Sequence, residues 1–439
     1  MSEPAAAPRR PWRRPARLLA ALALLAVAGL GAYAAGTQLW ALHHYRAARA
    51  ETERYHTNAA RAHLEACLKV WPRDPDALLL AARGARRLGD FEQAEVFLAR
   101  YRERRGPEDE AGALEQVFLR AERGDVDDVG PYCVRLIEEG RPAAPLALEA
   151  LAHGFLRKYR LREAALCLTQ WLERRPDDTQ AVLFRGIVHE QLQQRDEAVA
   201  SYRRVVQLDA EHDEGRMRLC ALLLLAGRGG EAATHLEYLL GRARDNPLVP
   251  VYLARAHAQQ GEPAEAVRLL DGVLAREPQF GPALAERGRL ALQAGELEKA
   301  EGLLREAVGR DPGDYQSHYQ LYQCLSRLGK ADEMREQGRR LKRVEDDLDR
   351  IQKIVTRDLE RRPHDPALRY EAGMIMLRAG AADEGVRWLQ GALKEDPDYA
   401  PAHRALALYY EKAGNRALMI RHLERAIAAE SAAPATARP

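Results

Sequence analysis

The chain has 439 residues, and its 67 Lys+Arg against 65 Asp+Glu leave a formal charge of +2, so no global field pulls it onto nucleic acid. Only 6% of residues are aromatic, while alanine, leucine and arginine dominate, a mix that belongs to stacked helices and argues against an ordinary α/β enzyme. The five cysteines (Cys67, Cys133, Cys167, Cys220, Cys324) form no C-x-x-C pair and have no histidine at zinc-ligand spacing, so they read as small buried apolar residues.

Residues 1–17 form a basic tail carrying Arg9, Arg10, Arg13, Arg14 and Arg17, and Leu18 to Leu42 follow without a formal charge. As a helix those 25 residues would be about 37 Å long, against a hydrocarbon core of about 30 Å. The pattern predicts a transmembrane signal-anchor over 18–42. The arginine cluster keeps the N-terminus in the cytoplasm, which makes the chain a single-pass inner-membrane protein with its remainder periplasmic or extracytoplasmic. Arg46, Arg49 and Arg54 lie beyond the segment, but Glu51 and Glu53 sit among them. A cleaved signal peptide is the competing reading, because Ala32-Tyr33-Ala34 has the small-x-small cleavage pattern. The apolar run continues past that site through Leu39, Trp40 and Leu42, which favours an uncleaved anchor; either reading exports the rest. The preference for arginine over lysine fits a GC-rich, bacterial coding sequence.

From here the chain repeats. Ala164, Ala198, Ala232, Ala266, Ala300 and Met334 are spaced by 34 residues. Ala60, Ala94 and Val129 precede them at steps of 34 or 35, and Gly385 and Met419 follow after steps of 51 and 34. Four residues beyond the marker comes an apolar side chain one helical turn away, as at Leu64, Leu98, Leu168, Tyr202, Leu236, Leu270, Leu304 and Leu389. Five residues before it stands, usually, glycine: Gly89, Gly124, Gly227, Gly261, Gly295, Gly329, Gly380 and Gly414. Glycine accepts the left-handed conformation that ends a helix. Proline recurs twelve residues after the marker, at Pro72, Pro176, Pro278, Pro312 and Pro397, where it stops the second helix. Each unit is therefore helix, short turn, helix.

This pattern resembles the tetratricopeptide repeat, whose signature pairs a small residue in the first helix with Ala-x3-Phe and Pro in the second. Gly186 with Ala198 and Tyr202 fits it, as does Gly288 with Ala300, Leu304 and Pro312. The family's Trp is mostly replaced, by Leu78, Leu148, Val182, Leu284 or the histidines His44, His318 and His403; His189 and His257 stand at its Tyr position. The resemblance implies an all-α fold: a right-handed α-solenoid of about eleven helix-turn-helix repeats, preceded by one transmembrane helix. Units 1–9 fall in 43–343 and units 10–11 in 366–433. Between them, 344–365 is expected to be an extra helix or half-unit, with an apolar period through Val344, Leu348, Ile351, Ile354, Val355 and Leu359, and a packed spacer or a hinge in role. Residues 434–439 are expected to be a disordered tail. The membrane helix is expected to run without a break into the first repeat.

No phosphate-binding loop, nucleophile elbow, zinc-protease motif or dinucleotide fingerprint is present, so no catalytic residue, cofactor or metal ligand is assigned. His43, His44, His56 and His63 cluster in sequence, but the first two point apart on a helix and no carboxylate sits at ligand spacing. Basic pairs such as Arg203-Arg204, Arg339-Arg340 and Arg361-Arg362 lie near the ends of second helices, where they complement the helix dipole; no nucleic-acid partner is expected.

What the resemblance implies for binding is a concave groove lined by first helices. Carried onto this sequence, it selects Leu183, Ile187, Met217, Tyr252, Arg255, Arg289, Tyr319 and Gln323 as the candidate peptide-binding face. Arg255 and Arg289, flanked by Tyr252 and Tyr319, suit an extended peptide with an acidic group. The Lys and Asn pair with which the family clamps chaperone tails is missing. The expected function is a non-enzymatic, membrane-anchored scaffold for protein interactions on the extracytoplasmic side, in settings such as envelope or polysaccharide assembly. The alternative is a dedicated accessory or regulatory subunit of a membrane or envelope enzyme.

Overall fold

A computed structural model describes residues 13–106, 108–242 and 245–432. Residues 1–12 of the basic tail and the expected tail 434–439 lie outside the described residues. Every regular element among the described residues is helical, and the helices come as eleven successive pairs. The first pair is α1 (Arg13–Glu53), by its C-terminal part, with α2 (Thr57–Val70). Then come α3 (Pro75–Arg87) with α4 (Phe91–Arg105), and α5 (Glu110–Glu122) with α6 (Val126–Glu138). Repeats 4 and 5 pair α7 (Ala144–Arg157) with α8 (Leu161–Arg174) and α9 (Thr179–Gln191) with α10 (Arg195–Leu208). Repeats 6 and 7 pair α11 (Asp213–Leu225) with α12 (Gly229–Arg242) and α13 (Leu248–Gln259) with α14 (Pro263–Arg276). Repeats 8 and 9 pair α15 (Gly281–Ala294) with α16 (Leu297–Arg310) and α17 (Tyr315–Arg327) with the long α18 (Ala331–Lys353). A π-helical stretch (Ile354–Asp358) and a last turn, α19 (Leu359–Arg361), prolong α18. Repeats 10 and 11 are α20 (Pro366–Arg378) with α21 (Ala382–Glu395) and α22 (Ala400–Lys412) with α23 (Arg416–Ala432). The chain divides into two compact units, one ending at Ala143 and the other beginning at Ala144.

The repeat register explains the packing. Ala60, Ala94, Ala164, Ala198, Ala232, Ala266 and Ala300 are all 0% exposed, and the apolar residues one turn on, from Leu64 to Leu389, are buried with them. Small residues let the paired helices approach. A Cβ on Gly186 would stand 2.5 Å from the Tyr202 ring, closer than any real Cβ contact, so no side chain fits there. Successive repeats are joined by the cap of the next first helix: Asp74 and Asp178 accept hydrogen bonds from the Ala77 and Ala181 amides at 2.8 and 3.2 Å. Second-helix aromatics reach the same caps, Trp171 donating to Asp178 (3.1 Å) and Tyr101 to Asp109 (2.6 Å).

Where the family's buried Trp is replaced by a polar residue, the polar atoms are paired in a recurring way. His318, Arg369, Arg216 and His403 each donate to the carbonyl six residues earlier, on Pro312, Pro363, Ala210 and Pro397, at 2.6–3.1 Å. The other ring nitrogen of the two histidines meets the residue nineteen positions on: Gln337 donates to His318 Nδ1 (2.8 Å), and His403 Nδ1 lies 2.9 Å from His422 Nδ1. His44 and His63 form the same pair in repeat 1, at 2.8 Å. A buried polar group with both partners supplied is tolerated where an orphan would not be.

The first unit contains a buried ion cluster. Arg86 and Glu115 are essentially inaccessible; Arg86 Nε donates to Glu115 (2.6 Å) and its other arm to Glu122, while Arg83 donates to the second Glu115 oxygen (3.2 Å). Burial alone would raise the Glu115 pKa, but Arg86 and Arg83 more than offset it and hold the carboxyl below its ordinary range.

Candidate functional site

The structure divides the eight residues expected on the inner face. Leu183 is 1% exposed and packs in the core with Val182, Tyr202, Val205 and Leu219, so it presents no surface to a ligand. Because α9 buries Ala181, Val182 and Leu183 in succession, a residue one step from the family's Trp position is still core. Ile187, Met217 and Tyr252 are half-buried against the same cluster. Burial raises the Tyr252 hydroxyl pKa, opposed by nearby Arg255. Arg255 is half-buried with no acidic group within 4 Å among the described residues, whereas Arg289 is already paired with Glu286 (3.0 Å). Tyr319 is 38% exposed and stacks on Tyr315 at 6.3 Å, and Gln323 is half-buried. Thus Arg255 is the uncommitted cation of the set, with Tyr252 beside it.

Sequence reasoning missed two features. One is a cleft of about 690 Å³, walled by Val308 and Leu321 of repeats 8–9, Val344 and Leu348 of α18, and Ile375 and Met376 of α20. The prolonged α18 makes this space by carrying the chain away before repeat 10 starts. The tip of repeat 10 then returns to repeat 8–9: a Cβ on Gly313 would fall 2.7 Å from the Ala379 Cβ, so glycine is what permits the contact. Arg350 braces the prolongation by donating to Asp358 and Glu371, both at 2.6 Å, and holds the Asp358 carboxyl below its usual pKa.

The other feature lies in the turn register. Gly227 and Gly261 adopt φ of +72° and +84°, as expected at helix ends, but Tyr55, Tyr159 and Gln193 occupy the same position in repeats 1, 4 and 5 with φ of 61°, 55° and 60°. A side chain there costs about 1–2 kcal/mol. Tyr159 recovers a similar amount in an aromatic contact: its ring stacks on Trp388 of repeat 10, centroids 4.4 Å apart and planes at 15°. Its hydroxyl donates to Glu384, and burial followed by that carboxylate pushes its pKa well up. Beside it Lys158 pairs with Glu395 (3.2 Å), Arg162 with Glu360 (2.7 Å), and Gln352 donates to the Gln191 carbonyl (3.4 Å). The gap in the glycine pattern was the available sequence signal, although its partner stands more than two hundred residues away.

No group of three or more histidine, cysteine or acidic side chains is placed to hold a metal among the described residues. His43 and His44 lie edge to face at 5.5 Å, and His56 pairs with Glu51 (2.7 Å). All five cysteines are free thiols, four of them buried. Burial pushes Cys133 up to about 11 and Cys220 to about 12, which keeps both protonated and unreactive near neutrality.

The helix pairs, their small-residue contacts and the buried register match a known family: the tetratricopeptide-repeat models fit residues 149–213 and 223–286. The chain contains tetratricopeptide repeats. Solved structures similar to it include PilW, a widely conserved type IV pilus biogenesis factor, at 22% identity over 45% of this chain and 91% of that one, with a TM-score of 0.39. PilF of Pseudomonas aeruginosa is 19% identical over 47% of this chain and 93% of its own, TM-score 0.38. A tetratricopeptide-repeat protein of Parabacteroides merdae ATCC 43184 is 14% identical over 65% and 99%, TM-score 0.34. No curated protein matches the chain. Tetratricopeptide folds bind protein partners, and the repeats of this chain are of that kind.

Proposed function

We propose that this chain is a non-enzymatic scaffold, held by one membrane-spanning helix with its N-terminus in the cytoplasm, which gathers protein partners on the extracytoplasmic side. The observation that carries the reading is α1 itself. It is one uninterrupted helix, long and apolar enough to cross a bilayer, and Leu24, Leu25, Val27, Leu30 and Leu39 stand exposed along it. Nothing among the described residues covers those side chains, which is the condition lipid would satisfy. Further along, Gln38 accepts a hydrogen bond from the Trp71 indole (2.6 Å) and Ala41 is buried under repeat 1. These contacts shorten the proposed span to residues 18–37, whose helical length of about 30 Å equals a hydrocarbon core. Trp40, Trp71 and Tyr45 would then sit at the interface, where aromatic side chains anchor membrane proteins.

Partner binding is assigned to the inner face around Tyr252 and Arg255, together with Ile187, Met217, Arg289, Tyr319 and Gln323; an envelope or polysaccharide assembly system is the proposed setting. Crosslinking in native membranes followed by mass spectrometry tests this. The expected result is a reproducible set of partner proteins that is lost when Arg255 and Arg289 are both changed to glutamate. A partner set unaltered by that double change would contradict the inner-face assignment.

A further inference from the structure

In a repeat array each repeat touches its neighbours, and long-range closure has to be built in. The second unit contains such a closure. Repeats 4 and 5 meet the prolonged α18 and repeat 10 through Tyr159 on Trp388, Lys158 on Glu395, Arg162 on Glu360 and Gln352 on the Gln191 carbonyl. The two turns that make these contacts, at Tyr159 and Gln193, are the two in this unit that carry a side chain at positive φ where other turns carry glycine. Locally that substitution is a cost, and at Tyr159 the closed arrangement offsets it through the Trp388 stack. The receiving side is also irregular: α18 is prolonged, passes through a π-helical stretch and is braced by Arg350. Such single π-helical turns mark places where a helix is bent to a purpose.

We propose that the prolonged α18 and repeat 10 form a clasp on the turns of repeats 4 and 5, and that the second unit exchanges between this closed form and an open form in which Tyr159 leaves Trp388. Among the described residues the clasp joins Tyr159, packed on Trp388 at the edge of the repeat-10 core, with two ion pairs to repeat 4 and hydrogen bonds. Opening it uncovers the edge of the repeat-10 core at Trp388 and leaves the packing between the paired helices of each repeat in place. Because the stack from repeat 4 to repeat 10 includes the first helices of repeats 5 to 9, opening changes the spacing of their side chains without unfolding any of them. The inference stands on the closure geometry and does not depend on the identity of a partner or on the membrane topology.

The experiment places spin labels on the full chain at two exposed positions flanking the clasp, Gln170→Cys on α8 and Gln390→Cys on α21, in a Cys167→Ser background, and measures the distance distribution by electron double resonance. The parent should give a dominant short distance. Tyr159→Gly removes the stack and relieves the positive φ, so it should broaden and lengthen the distribution while leaving the melting temperature unchanged or raised. Lys158→Glu, which leaves the turn backbone alone, should move the distribution the same way. Distributions unchanged in both variants would overturn the proposal, and so would lengthening that appears only together with a lowered melting temperature, since that would be unfolding rather than opening.

Discussion

Ala266 is 0% exposed and sits against Leu270, Val273 and Ala283, so a leucine there has no room without moving a neighbouring helix. Ala266→Leu should destabilise the second unit by about 1–3 kcal/mol, measured by thermal unfolding; an unchanged profile would mean the repeat register is misplaced. Arg86 gives the sharper electrostatic case, because Glu115 and Glu122 are buried around it. Arg86→Met should cost about 3–5 kcal/mol by removing the cation buried between those carboxylates, and additional change of both glutamates to leucine should restore most of the loss in denaturant titrations. Histidine pairs set the pH dependence. Burial, and then the neighbouring histidine, lowers the pKa of His422 and of His44; burial also lowers that of His318. The folded state therefore resists protons that the unfolded chain takes up near its ordinary value of about 6.5. Stability should be full above that pH and fall as pH drops through it toward the depressed folded values, with His422→Gln in repeat 11 flattening the slope. A melting temperature independent of pH between about 7 and about 5, the range in which histidine titrates, would contradict the pairing.

At the scale of elements, the helix pairs were legible because three signals share one period: the small marker, the apolar residue one turn later and the turn glycine. Tyr202 above Gly186 and Leu304 above Gly288 show why that period is physical, since each bulky side chain fills the space the small one vacates. Less was legible at the candidate site. Leu183 was expected on the inner face by family register, yet α9 is covered on enough sides that the register carries it into the core. Arg289 has the right position, but its partner Glu286 lies within its own helix, three residues before it, and only coordinates show that the pair forms. The 344–365 segment read as helical, while its departure into a π-helical stretch depends on contacts of Ile354 with Leu368 and Trp388 that no local pattern announces. Repeat 10 begins afresh after it, capped by Asp365, which accepts from the Ala367 amide at 2.8 Å. Asp365→Ala should cost about 0.5–2 kcal/mol, read as faster amide hydrogen exchange confined to repeats 10 and 11. Uniform change across all repeats would show that these elements do not behave as a separable stretch.

For the whole molecule, the near-balance of charge now has a distribution: an arginine-rich tail precedes the apolar helix, and the remainder mixes acids and bases that pair within and between neighbouring repeats, as Arg203 does with Glu231 and Arg305 with Glu301. Such pairing leaves little net field, so under the proposed function recognition falls to shape and a few uncommitted groups such as Arg255. The fold was readable at this scale because a repeat array is quasi-one-dimensional and each copy carries the same residue spacing. The central claim is that α1 anchors the repeats outside the cytoplasm. Limited proteolysis of spheroplasts expressing the full chain with different epitopes at its two ends tests it most directly. The account predicts that the C-terminal epitope is digested while the N-terminal epitope survives on a small fragment in the membrane pellet. Survival of the C-terminal epitope until the membrane is broken would contradict it.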